Sequence, residues 1–218
     1  MDVLARDHGV RPRSVLHVGA HLGEEAADYH ANGVEEALWV EANPELMDGL
    51  REVLAAYPGQ TAVQAAVTDA DGAKATLHVA QSATAALPAM NSSLLEPKAQ
   101  RQIYPFFNYD KTIDLETVTL DALLAREGYG PHHFQMLNLD VEGGELLVLR
   151  GGLKALAGVA WIFTEVNHAE RFAGGAVLPE MDAFLEAHGF ERKALCDFGD
   201  RTWGDALYVR HRWEVDGA

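Results

Sequence analysis

Asp140 and Glu142 follow the apolar run MLNL and precede Gly143-Gly144, while Glu165, Asn167 and His168 follow a second apolar run, WIFT. Short apolar runs bounded by turn residues predict buried strands, so both polar groups should leave neighbouring strand ends on one rim. A rim of this kind can remove the proton of an acceptor hydroxyl, whose solution pKa lies far above neutral. A positioned base can do it directly, or a metal can acidify the bound oxygen. His168 and Asp140 suit the role of base, with Glu165 beside them, and Glu142 and Asn167 would touch the acceptor. Asp140, Glu165 and Asn167 also offer the oxygen ligands that Mg2+ prefers. An acid at the start of a helix has a plainer use, since the helix's positive end stabilises it by roughly 0.3–1 kcal/mol.

A second group lies near the start of the chain. Gly19-Ala20-His21-Leu22-Gly23 falls between the apolar segment SVLHV and a helical pattern, where glycines let a ligand approach the backbone closely. Dinucleotide sites carry G-x-G-x-x-G there, but His21 and Glu24 occupy the second and third glycine positions. A ring and a carboxylate would crowd a pyrophosphate, whereas S-adenosylmethionine has no phosphate and carries a sulfonium cation that an acidic turn suits. Glu41 stands 22 positions after Gly19, close to the ~20-residue spacing at which an acid accepts hydrogen bonds from ribose hydroxyls. Asp69 is the candidate for the adenine edge, with a turn role beside Asp71-Gly72 as its alternative. His17 reads as a buried strand residue.

The elements that must hold these groups alternate. Strands are expected at 14–18, 36–41, 61–67, 74–80, 114–118, 134–139 and 160–166, with helices at 24–32, 44–57, 120–127 (capped by Thr119), 144–157 and 178–188. Strands near 190–196 and 205–210 would pair as an antiparallel edge. Residues 81–113 read as irregular apart from a short helix near 96–103. There Ser92 and Ser93 of MNSSLLEP, and Tyr104 of YPFFNY, would form a substrate wall or lid. Alternation of this kind means a mainly parallel sheet covered on both faces, with ligands beyond the carboxyl ends of its strands.

The 218 residues fit one domain, and 33 acidic against 17 basic residues give a formal charge of −16. That balance opposes phosphate backbones and anionic membrane surfaces, so a small-molecule acceptor is expected and nucleic acid and membrane are not. No apolar stretch approaches the ~18 residues of a membrane span, and a cytoplasmic location is expected. The lone Cys196 is read as a small buried residue. Nothing in the sequence specifies an oligomeric state.

With these residues in view, the chain resembles the FkbM-type methyltransferases, a branch of the class I adenosylmethionine-dependent enzymes, over roughly residues 14–210. The segments are VLHVGAHLGEEA, WVEANPEL, AAVTDADG, NSSLLEPK, TVTLDALLAREG, LNLDVEGGELLVLRGG, FTEVN and WGDALYVR, in this order. The resemblance implies a Rossmann-like, three-layer αβα methyltransferase fold with a seven-stranded, mainly parallel sheet whose last strand is antiparallel. It also implies methyl transfer to a hydroxyl of a sugar or secondary metabolite. On the matching positions it would set Gly19, Ala20, His21 and Gly23 around the methionine part of the cofactor and Glu41 at its ribose. Asp140 and Glu142 would line the reaction centre with Glu165 and His168. Many relatives carry Lys where this chain has Asn138. Two alternatives stay open: a nucleotide-dependent oxidoreductase, and a non-catalytic binding protein on the same sheet.

Overall fold

The computed structural model describes residues 1–82, 91–198 and 202–211. Strands β1 (Ser14–Val18) and β2 (Glu36–Glu41) are almost wholly buried, as apolar strands covered on both faces must be. Helix α1 (Asp2–His8), for which the sequence carries no clear periodic signal, precedes them. Helices α2 (Ala26–Ala31) and α3 (Met47–Leu54) and strand β3 (Gln60–Gln64) follow in alternation, and α3 turns Met47, Leu50 and Leu54 inward.

The main sheet is completed by β7 (Met136–Leu139), β8 (Trp161–Asn167), β9 (Phe190–Phe198) and β10 (Trp203–Arg210), in the order β3-β2-β1-β7-β8-β10-β9. It is the expected seven-stranded, mainly parallel sheet, with β10 antiparallel to both neighbours. The strand order reverses between β1 and β7, which pair in parallel, and ligands in open α/β sheets bind beyond such a switch point. Alternate residues of β1 feed two cores. Leu16 and Val18 join Leu123, Leu149, Leu156 and Leu185 on one face, and Val15 joins Trp39, Tyr29 and Leu50 on the other. Helices α5 (Leu120–Arg126), α6 (Glu145–Arg150), α7 (Leu153–Gly158) and α8 (Leu178–Ala187) cover the first face. Thr119 caps α5 as expected, accepting from the Ala122 N–H at 3.2 Å.

Several expectations are corrected. The strand expected at 61–67 divides, because the Ala65 N–H bonds the Glu41 carbonyl and β4 (Ala66–Thr68) then leaves the main sheet. It pairs instead with β6 (Phe107–Thr119), which also carries β5 (Lys74–Ser82), giving a second sheet in the order β4-β6-β5. The region expected to be irregular from 81 to 113 is therefore partly strand, with α4 (Gln100–Ile103) between; its residues 83–90 lie outside the described set. The helix expected over 144–157 is two, parted at Gly151-Gly152. A side chain at Gly151 would meet the Thr68 carbonyl oxygen at 2.2 Å. Cys196 is exposed, not buried, because β9 is an edge strand paired with β10 alone. No described helix is long and apolar enough to cross a membrane.

Candidate active site

At the switch point a cavity of about 410 Å³ opens beyond the carboxyl ends of β1, β2, β7 and β8, within the ~300–1,000 Å³ usual for small-molecule sites. Gly19, Ala20, His21, Glu24 and Glu25 form one side and Glu41 another, with Asp140, Glu142 and Glu165 at the floor. Ala65, Val67, Thr68 and Leu46 make an apolar flank, and Asn91, Ser92, Leu94, Tyr104, Phe106, Phe107 and Trp203 wall the far side.

The glycine turn is held by close approach. Gly19 has φ 95°, and a Cβ there would lie 1.7 Å from the Asp140 carbonyl oxygen, so only glycine lets the two strand ends meet. His21 takes a left-handed φ of 44°. Glu41 stabilises that turn: its carboxylate accepts the His21 N–H at 2.8 Å and the Asn43 N–H at 2.7 Å. Each of its oxygens retains a further acceptor site. Burial raises the Glu41 pKa against these hydrogen bonds. His21 Nδ1 lies 2.5 Å from Glu24 Oε1. Burial works to lower the His21 pKa, but Glu24, Glu41 and Asp140 outweigh it and raise it.

The floor is a crowd of acids. Asp140 is open to the cavity, yet the protein packed around it pushes its carboxyl up to about 6, with Asp205 adding to the rise. Glu142, in a left-handed φ of 54°, accepts from Asn91 Nδ2 at 2.7 Å and, more loosely, from Arg171 Nη2 at 3.4 Å. Glu165 accepts from Arg171 Nη1 at 3.0 Å. Burial pushes both glutamates well above the ordinary range, and the neighbouring acids push them further. Carboxylate oxygens of Asp140, Glu142 and Glu165 lie within 4.8 Å of one another. Glu145 sits behind them, accepting the N–H groups of Val141 and Gly143, and burial raises it to about 7.

The expected site residues divide. Gly19, Ala20, His21, Glu41, Asp140, Glu142, Glu165, Ser92 and Tyr104 line the cavity together. His168 does not: its Nε2 pairs with Asp197 Oδ1 of β9 at 2.7 Å, away from the cavity. Asn167 is buried and bonded to Arg171 and Glu165, so as an acceptor contact or metal ligand it is already engaged. Asp69 is exposed outside the cavity, and Val67 and Thr68 take the wall expected of it. Gly23 packs against Leu50 of α3. Ser93 is buried and donates to the Glu142 carbonyl at 2.7 Å, holding the acceptor-side segment to the floor. Asn138 bonds Tyr29 Oη at 2.8 Å beside His17, which burial lowers to about 3 and keeps neutral.

Residues outside the expected site set complete the cavity. Arg171 comes from the irregular stretch after β8, and Trp203 donates from its indole to Tyr104 Oη at 2.9 Å. Arg171 joins the nearby Glu165 and Asn167 to the distant Glu142 and Gln100, and no regular spacing announces that link.

The donor set fits an adenosylmethionine-type ligand. Six carboxylates line the cavity (Glu24, Glu25, Glu41, Asp140, Glu142 and Glu165) and Arg171 is its one arginine or lysine among the described residues. That lining favours a sulfonium and opposes a pyrophosphate. The family of the methyltransferase FkbM domain matches residues 17–192. No curated protein matches the sequence. Among solved structures, the chain is similar to a ribosomal protein L11 methylase from Lactobacillus delbrueckii subsp. bulgaricus, at 12% identity and TM-score 0.52, covering 96% of this chain and 75% of that one. It is similar to the magnesium protoporphyrin IX methyltransferase from Synechocystis PCC 6803 with bound SAM, at 10% identity and TM-score 0.52, over the same shares. Likeness at this identity speaks to the fold.

Proposed function

The chain belongs to the FkbM methyltransferase family and is an S-adenosylmethionine-dependent methyltransferase, and from that premise we propose that it methylates a hydroxyl of a sugar or secondary metabolite, with Asp140 receiving the proton. One observation carries this reading. Asp140 lies at the cavity floor with its carboxyl held near 6, and no described side chain donates to it, whereas Glu142 and Glu165 are tied to Arg171.

The cofactor, when bound, supplies the electrophilic methyl group. Glu41 has free acceptor sites for a ribose, and Gly19, Ala20 and His21 form the turn for the methionine part. Tyr104, Phe106 and Trp203 offer ring faces to an acceptor's carbon skeleton, and Asn91 and Ser92 offer polar contacts. Asp140, with a pKa close to working pH, combines the deprotonated state with useful basicity.

The acidic lining also selects. Phosphate-bearing acceptors, nucleic acids among them, would bring negative charge against six carboxylates, so neutral acceptors are favoured. The test is methyl transfer from labelled adenosylmethionine to a panel of methyl glycosides, with the matching sugar phosphates beside them. Transfer to a glycoside and little to its phosphate is the expected outcome; the reverse would overturn the acceptor class.

The Asp140, Glu142 and Glu165 cluster favours a second reading, in which Mg2+ assists the deprotonation. Arg171 already supplies a cation at this cluster, which weighs against it. Activity lost in EDTA and restored by Mg2+ would establish the metal; indifference to EDTA would remove it.

A further inference from the structure

Arg171 is 2% exposed, and its guanidinium makes four hydrogen bonds, to four side chains. Nη1 reaches Glu165 Oε1 and Asn167 Oδ1, each at 3.0 Å, Nη2 reaches Glu142 Oε2 at 3.4 Å, and Nε reaches Gln100 Oε1 at 2.8 Å. Its own carbonyl accepts the N–H groups of Lys98 and Gln100 at 3.1 and 3.0 Å. The Trp203 and Tyr104 rings lie 5.5 and 5.8 Å from its guanidinium carbon. A buried arginine clasping two core segments would need no further account. Two of its partners, however, line the reaction cavity, and a third carboxylate there, Asp140, has no such anchor.

We propose that Arg171 is a positioning residue for methyl transfer, drawing Glu142 and Glu165 back onto its guanidinium and leaving Asp140 as the carboxylate directed at the acceptor. The proposal rests on the reading of Asp140 given above. It answers a problem of charge: three carboxylates within one small volume cannot all remain ionised unless a cation faces them. The groups around Asp140 are Glu142 from the same loop, Glu145 of α6, Glu165 of β8, Asp205 of β10, Glu25 beside α2, Glu41 of β2, and His21 of the glycine turn. Only His21 and Arg171 can oppose the acids, and Arg171 holds two of them by hydrogen bonds. The planar fork of arginine permits this division, since one face of donors reaches two carboxylates at once.

The experiment needs no acceptor. Carboxyl carbons of aspartate and glutamate are labelled with 13C, the Asp140 resonance is assigned with Asp140→Asn, and its titration is followed in the wild type, Arg171→Gln and Arg171→Lys, with thermal melts alongside. Loss of the facing cation should raise the Asp140 midpoint by about one pH unit or more in Arg171→Gln, and Arg171→Lys should restore it. An unmoved midpoint in a folded Arg171→Gln overturns the proposal. Should Arg171→Gln fail to fold, Arg171→Met, which keeps the apolar stem, provides the complementary test. Loss of the cation should again raise the Asp140 midpoint, and an unmoved one overturns the role. Turnover by Asp140→Asn is read separately: undiminished methyl transfer there would defeat the reading of Asp140 as base, whatever the titration of Arg171→Gln shows.

Discussion

His21 and Glu142 are the non-glycine residues with left-handed backbone among those described, at φ 44° and 54°, and both face the cavity. Such conformations cost on the order of 1–3 kcal/mol and persist where surrounding contacts impose them. Glu41 imposes the first through the His21 N–H; Asn91, Ser93 and Arg171 fix the second. Glu41→Ala should therefore weaken adenosylmethionine binding about 10- to 100-fold by calorimetry, since hydrogen bonds to a charged partner contribute roughly 1.5–3 kcal/mol. Asp140→Asn should lower kcat by about 10²–10⁴ at saturating cofactor if it is the base. His168→Ala, by contrast, should keep kcat within about twofold, because its ring is engaged with Asp197 outside the cavity; a loss comparable to a base deletion would return His168 to the mechanism. Asp140, Glu142 and Glu165 were readable because strand periodicity places them at carboxyl ends. The direction of the His168 ring was not legible, because it depends on Asp197 of β9, two strands away in the sheet. Arg171 was unreadable because it lies where no periodic signal survives.

At the scale of elements, nearly every strand and helix could be found from apolar periodicity, and the errors fall where tertiary contacts override it. Residues 144–157 have a continuous helical pattern, but the chain breaks at Gly151, where the Thr68 carbonyl oxygen occupies the space of a side chain. Gly151→Ala should cost ~1–3 kcal/mol as an overpacked contact. A fall in Tm of roughly 3–10 °C would express it, and an unchanged Tm would show that the junction can yield. Thr119 is the contrasting case, a cap legible in sequence and present in the structure. Thr119→Ala should cost ~1 kcal/mol, or about 2–4 °C in a melt. The departure of β4 was invisible because its partner, β6, begins some forty residues later.

For the molecule as a whole, the raised carboxyls in and around the cavity make stability depend on pH with a sign opposite to that of salt-bridged carboxylates. Asp140 and Asp205 are raised from 3.8 to about 6, and Glu145 from 4.5 to about 7. Between pH 4 and 7 the folded protein consequently binds more protons than the unfolded chain, so stability falls as pH rises. A net effect of ~2 kcal/mol corresponds to a Tm roughly 4–8 °C lower at pH 8 than at pH 5. Adenosylmethionine should narrow the gap by introducing a cation. A melt that is flat or rising with pH over this range would contradict the account. The formal charge of −16 pointed to the sign of the interior field, but only the fold could gather six of those acids into one cavity.

The swing of β4 out of the main sheet has a consequence for how the enzyme could release its product. The glycine turn and Glu41 belong to the large sheet, whereas Phe107 rides on the small one and Ser92 is held by the Ala80 N–H of β5. The small sheet is fastened near the cavity by a few links, among them Asn91 and Ser93 to Glu142 and Lys111 to Glu45. Separate sheets can open as separate cooperative units. Amide hydrogen exchange should then find β5 and β6 exchanging faster than β1 and β7, so that an acceptor could leave through a local opening while the cofactor's half of the cavity stays closed.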